Sequence, residues 1–223
     1  YEICACLVGS EMCIRDRDEV ELKPILLNGT YAIMKTYTKP YASCRYTHPS
    51  VEAAIHLRER VRVEDIERID IKTYSLAVAG HDHTDIPGSY SAKMSIPYAT
   101  AAGFIYGKAG LQEFSEERVC GKAIFDLTKK IHVEPDAELS ALFPGIQAAI
   151  VNVTRRDGSI LTERVDFPKG EPENPLDEME FKSRYDDLMK YGHQTSGDEV
   201  YRLIYAKETK IRKVMELMRG GMK

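Results

Sequence analysis

The 223-residue sequence lacks any apolar run of the roughly 18 residues that a membrane-crossing helix needs. Nor has it an excess of basic residues. The formal net charge is −4 at neutral pH, so no basic field recruits nucleic acid or an anionic membrane. No G-x-G-x-x-G, Walker loop or G-x-S-x-G elbow occurs, which leaves nucleotide binding and serine hydrolysis without support. The five cysteines, Cys4, Cys6, Cys13, Cys44 and Cys120, are odd in number and contain no C-x-x-C pair. Reduced thiols in a cytoplasm fit better than a disulfide framework. Internal repeats and low-complexity segments are also missing. What remains is ordinary globular composition, 43% hydrophobic and 30% charged, enough for one large domain or two small ones. The default is a soluble cytoplasmic protein that acts on small molecules or proteins.

The first 17 residues, YEICACLVGSEMCIRDR, do not form a signal peptide, because no basic segment precedes them and Glu2 interrupts the apolar core. CLVGSEMCIRDR looks like a translated sequencing-library adapter. The expectation is that native coding begins near Asp18, inside a longer gene. An irregular but genuine N-terminus is the other reading.

From Asp18 the stretch VELKPILLNGTYAIMK is an apolar run broken by the turn signal Asn28-Gly29. Pro49 suits the first turn of a helix, and Val51, Ala54, Ile55 and Arg58 continue it at helical spacing, predicting a helix over 49–60. Residues 66–77 alternate, with Ile69, Ile71 and Thr73 on one face, predicting a half-buried strand. The stretch 80–91 is a predicted loop. A small-residue helix over 95–106 stops at Gly107, and Ser115 is placed to cap the next one. Arg155-Arg156-Asp157-Gly158 predicts a hairpin turn between strands in 146–153 and 159–167. PKGEPENP, residues 168–175, reads as a boundary. Beyond it Asp177 and Glu180 form a capping-box pattern, followed by a helix and by a last helix over 198–218. The sum is α+β, with amphipathic C-terminal helices that need a larger helical partner to bury their apolar faces.

Three clusters could carry chemistry. Lys39 to His48 gathers Lys39, Cys44, Arg45, His48 and two tyrosines just before a helix N-terminus. Cations and a helix N-terminus together receive carboxylates, and a lysine or histidine there can move a proton. The bland reading is a solvated connector. In the stretch SAKMSIPYATAAGFIY, Tyr98 either presents its hydroxyl into a cleft or packs in the core with its tip on backbone. The run Gly80-His81-Asp82-His83-Thr84-Asp85 invites a metal, but two histidines at i and i+2 with no distant third ligand favour a polar surface loop. Cys44, beside Arg45 and near His48, could be an activated thiolate, but no orienting partner is visible.

The order of K-P-Y-x-S-C-R-x-x-H-P, IERIDIKTY, S-A-K-M-S-I-P-Y-A-T-A-A, F-P-G, V-D-F-P-K-G-E-P-E-N-P-L and D-E-M-E-F-K-S-R-Y resembles proteins of the MmgE/PrpD family, over about residues 37–192. These include 2-methylcitrate dehydratase and cis-aconitate decarboxylase. The resemblance implies a two-domain enzyme with its active site between a large all-helical domain and a smaller α+β lid. On that map residues 18–36 are a remnant of the helical domain. Residues 37–168 are the lid, with helices packed on a small antiparallel sheet. Residues 169–223 return to the helical domain, most of which is missing.

By the same resemblance, Lys39, His48 and Tyr98 are catalytic, and Arg45, Cys44, Ser95 and Lys93 bind substrate. The implied reaction removes a proton alpha to a carboxylate and expels water from a polycarboxylic acid, with dehydration of 2-methylcitrate to 2-methylaconitate the leading case. Decarboxylation of cis-aconitate, epimerisation of a dicarboxylate, and a non-catalytic α+β interaction domain are the alternatives. No cofactor, metal, nucleic acid or membrane is implied, and the full-length protein is expected to be a homodimer. This chain alone is expected to be inactive.

Overall fold

The computed structural model describes residues 32–206 and 210–220. The chain divides after Lys35, and everything below concerns the unit that begins at Thr36. The adapter-like segment, the Asn28-Gly29 turn and most of the remnant at 18–36 lie outside the described residues.

The fold is α+β. Its strands are β1 (Ile66–Thr73), β2 (Ile131–Pro135), β3 (Ala149–Arg155) and β4 (Ile160–Val165), arranged in the order β2-β1-β3-β4. Alternation along β1 buries Ile66, Ile69, Ile71 and Thr73, while its intervening residues stay partly or fully exposed. β3 and β4 form the expected hairpin on Asp157-Gly158, where Gly158 takes the left-handed φ of 81° that the turn requires. One expectation is corrected: the sheet is mixed, because β2 runs parallel to β1 with Ile69 opposite Ile131. A parallel neighbour needs a long crossover, and the helical chain between β1 and β2 supplies it.

Ten helices occur among the described residues. They are α1 (His48–Leu57), α2 (Ser75–Val78), α3 (Ser89–Met94), α4 (Ile96–Tyr106), α5 (Glu116–Val119), α6 (Lys122–Thr128), α7 (Ala137–Leu142), α8 (Glu178–Tyr191), α9 (Gly197–Tyr205) and α10 (Ile211–Gly220). α1 lies across β3 and β4, and α4 packs on α1. A Cβ added at Gly103 of α4 would stand 2.9 Å from the Val51 carbonyl and 3.0 Å from Ala54 Cβ. The small residues of α4 therefore let the two helices meet backbone to backbone. Ser95 caps α4 by accepting the Tyr98 N–H at 3.1 Å, and Gly107 ends it at φ 67°.

Several boundaries differ from expectation. The strand predicted to reach Ala77 stops at Thr73, since α2 begins two residues on. The loop over 80–91 gives way to α3 at Ser89. The single last helix is two, because Ala206 is extended and ends α9.

The core centres on Tyr74, Tyr98, Phe104, Phe114 and the isoleucines of β1. The C-terminal helices are different. α8 keeps no residue fully buried. Ile204, Tyr205, Ile211 and Met215 of α9 and α10 are exposed, Ile211 to 75%. No helix among the described residues is long and apolar enough to cross a membrane.

Candidate active-site cleft

A cleft of about 1740 Å³ opens between α8 and a wall built from three segments, Lys39–Cys44, Lys93–Met94 and Gly107–Glu113. Backbone hydrogen bonds join the segments. Ala42 N–H donates to the Ala109 carbonyl at 2.8 Å, and Cys44 N–H donates to the Lys93 carbonyl at 2.8 Å. Each segment contributes one lysine to the lining: Lys39, Lys93 and Lys108. Lys39 is exposed and donates from Nζ to the Ser43 carbonyl at 3.1 Å, which curls its segment into a turn. Lys93 is half-buried in the last turn of α3.

The Gly107–Glu113 loop is held from inside. Glu113 is almost fully buried, yet it lines the cleft. Its carboxylate accepts the Gly110 N–H at 2.9 Å and faces the Lys108 ammonium at 3.7 Å. Its backbone carbonyl accepts the Tyr98 hydroxyl at 2.9 Å. Across the cleft, α8 presents Glu180, Arg184, Asp187, Lys190 and Tyr191. Arg184 donates from Nε to the Lys39 carbonyl, so helix and wall are tied at the lysine.

The segment read as a boundary, PKGEPENP, folds back on the wall. Thr38 N–H donates to the Gly170 carbonyl at 2.8 Å, and Arg45 pairs with Glu171. Glu52 of α1 accepts the Lys169 N–H and, at 3.3 Å, the Asn174 side-chain amide. Desolvation by burial raises the Glu52 pKa. Gly170 has φ 93°, and a Cβ there would stand 1.9 Å from the Thr38 carbonyl oxygen, so no other residue fits.

The residues named from sequence separate into two sets. Lys39, Cys44 and Lys93 line the cleft together; Arg45, His48, Ser95 and Tyr98 do not. Arg45 is buried against Glu171, with its guanidinium carbon 5.4 Å from the Tyr37 ring centroid. His48 is 1% exposed, packs edge-on against Tyr41 and lies 3.4 Å from the Ser43 carbonyl. Desolvation by burial, with the charge of Arg45 next, lowers its pKa to about 3, so the imidazole is neutral. Ser95 is spent as the α4 cap and donates to the His83 carbonyl at 2.6 Å. Tyr98 packs in the core against Phe114, and burial raises its pKa. The first residues of α1, His48, Pro49 and Ser50, are buried. Lys39, ahead of that helix, reaches the cleft, and the helix N-terminus does not.

Sequence reading missed Lys108, Glu113 and Arg184. The available signal was the Lys108 position in Gly-Lys-Ala-Gly, directly after a helix stop. In the His81–Asp85 loop, His83 hydrogen-bonds the Ser91 hydroxyl at 3.1 Å. No group of residues able to hold a metal ion occurs among the described residues.

The described unit is a small mixed sheet under helices, with a cation-rich cleft between its loops and α8. The model of the MmgE/PrpD C-terminal domain matches residues 41–207, most of the chain. The chain belongs to the MmgE/PrpD family. No curated protein matches it.

Proposed function

We propose that the cleft binds the carboxylates of a polycarboxylic acid, and that the chain forms the lid side of a hydro-lyase that converts 2-methylcitrate to 2-methylaconitate. The observation that carries this reading is the wall of Lys39, Lys93 and Lys108, three cations from three segments that backbone hydrogen bonds hold together. A substrate with three carboxylates needs such a receptor. Removal of a proton alpha to a carboxylate builds negative charge on that group, and fixed ammonium groups stabilise it without reorganising. Water then leaves from the adjacent carbon.

In this reading Lys39, Lys93 and Lys108 touch the substrate, and Cys44 lines its site. His48 and Tyr98 act one step back: His48 supports the Lys39–Cys44 turn, and Tyr98 fixes the loop that carries Lys108. The exposed apolar seam on α9 and α10 supports packing against a further helical layer, and that layer would supply the groups facing the lysines. A self-sufficient interaction domain would have no such seam.

The test is turnover of 2-methylcitrate and cis-aconitate by the full-length gene product. Dehydration of 2-methylcitrate that Lys39→Ala lowers at least a hundredfold supports the proposal. A folded full-length protein that turns over neither acid rejects it.

A further inference from the structure

Away from the lysine wall, the end of α1 and the β3–β4 turn enclose a second depression of about 530 Å³. Five arginines line it: Arg58, Arg60, Arg62, Arg155 and Arg156. Its carboxylates are Glu59, Asp65 and Asp157. Two of these are engaged. Asp65 pairs with Arg62 at 3.0 and 3.3 Å, and Asp157 accepts the Ser159 N–H and hydroxyl at 2.9 and 2.6 Å. Arg60 reaches Glu163 only at 4.0 Å. Arg156 is exposed, with no side-chain partner among the described residues. Arg155 donates to the Arg60 carbonyl, which holds the two arginine-bearing segments together. The lining therefore has an excess of two positive charges, carried by planar forks suited to bidentate oxyanion recognition.

Arg58 lines the arginine depression and reaches from it to the end of α4, next to the loop of the lysine cleft. Its Nε donates to the Phe104 carbonyl at 3.0 Å and its Nη2 to the Ile105 carbonyl at 3.5 Å. These are carbonyls of the last turn of α4. Its Nη1 also stands 2.5 Å from where a Cβ on Gly107 would lie. Gly107 lines the lysine cleft and starts the loop that carries Lys108 and Glu113.

We propose that the arginine depression is a second binding site, for a compact anion with two or more negative charges, and that Arg58 couples its occupancy to the lysine cleft. An anion there competes with the Phe104 and Ile105 carbonyls for the Arg58 guanidinium. The end of α4 loses a side-chain cap, and the Gly107–Glu113 loop gains freedom. Adjacent phosphates or clustered carboxylates both satisfy the charge requirement. By linkage, whatever binds the cleft must shift the affinity of the depression in the same sense as the reverse effect.

The test titrates the 223-residue chain with inorganic pyrophosphate, and separately with citrate, by calorimetry at low ionic strength. Hydrogen exchange over residues 107–115 is followed in parallel. A Lys39→Ala/Lys93→Ala background removes binding to the cleft. The expected result in that background is one saturable event for at least one anion, weakened about tenfold by Arg60→Ala and by Arg156→Ala. Exchange over 107–115 should rise on binding. Arg58→Lys, which keeps the charge but not the fork, should retain binding within about threefold and abolish the exchange change. Tighter binding of pyrophosphate assigns the site to phosphorylated ligands; tighter binding of citrate assigns it to carboxylates. No saturable binding of either anion, or binding that Arg60→Ala and Arg156→Ala leave unchanged, overturns the site. Binding without a change at 107–115 overturns the coupling.

Discussion

Glu171 accepts the guanidinium of Arg45 across 126 residues of chain, with Nε 2.8 Å from Oε1. The immediate neighbour Cys44 and the nearby Lys169 both line the cleft, so the pair joins two segments that contribute to its lining. Both side chains are largely buried, 10% and 18% exposed. Removing one partner leaves a buried charge unpaired. Arg45→Ala is expected to destabilise the chain by about 3 kcal/mol, measured by urea unfolding. An unchanged urea midpoint would mean that the two segments are held without this pair.

Gly170→Ala should be at least as damaging. The left-handed φ and the Thr38 carbonyl both oppose a side chain there. The expected loss is about 3 kcal/mol or more, again from urea midpoints. Gly158→Ala, also at positive φ but with nothing within 4 Å of the added Cβ, is the control. It should cost only about 1 kcal/mol.

The pH dependence of stability should report His48. Burial holds its folded pKa down at about 3, while the unfolded value is about 6.5. Between those values the unfolded chain binds a proton that the folded chain does not. Its contribution is thus complete above about pH 6.5 and is lost as pH falls, at up to about 1.4 kcal/mol per unit. The raised pKa of Glu52 acts in the opposite sense, but it is common to wild type and variant. His48→Gln is expected to flatten the fall in stability between about pH 6.5 and 5. An NMR titration showing His48 protonated near pH 6 would contradict the burial argument.

Tyr98→Phe separates a positioning role from a catalytic one. Loss of the hydrogen bond to the Glu113 carbonyl should cost roughly 1 kcal/mol of stability. Citrate binding to the cleft should stay within about twofold, because the phenol does not line it. A loss of binding beyond tenfold in a folded variant would place the hydroxyl on the ligand.

Local structure was legible where one residue settles a local hydrogen-bond problem. Ser115 caps its helix as its spacing indicated. Asp177 and Glu180 form the full capping box, and Asp157-Gly158 makes the hairpin turn. β2 was not legible. It is five residues long, ends in Pro135 and alternates too briefly to signal a strand, and its partner lies far away in sequence. The site divided in the same way. Lys39, Cys44 and Lys93 reach the cleft, but sequence could not show that His48 and Tyr98 turn inward, since burial is decided by packing against Tyr41 and Phe114. The Arg45–Glu171 pair and the return of residues 168–174 onto Thr38 and Glu52 are long-range contacts with no local signature.

The central claim is that Lys39, Lys93 and Lys108 form one receptor for a polycarboxylate. The most direct measurement is NMR observation of the lysine ammonium groups while 2-methylcitrate is titrated into the chain. The account predicts saturable shifts of all three with a single dissociation constant, and loss of the Lys108 shift in Lys39→Ala/Lys93→Ala. Shifts that do not saturate, or that give different constants for the three lysines, would contradict it.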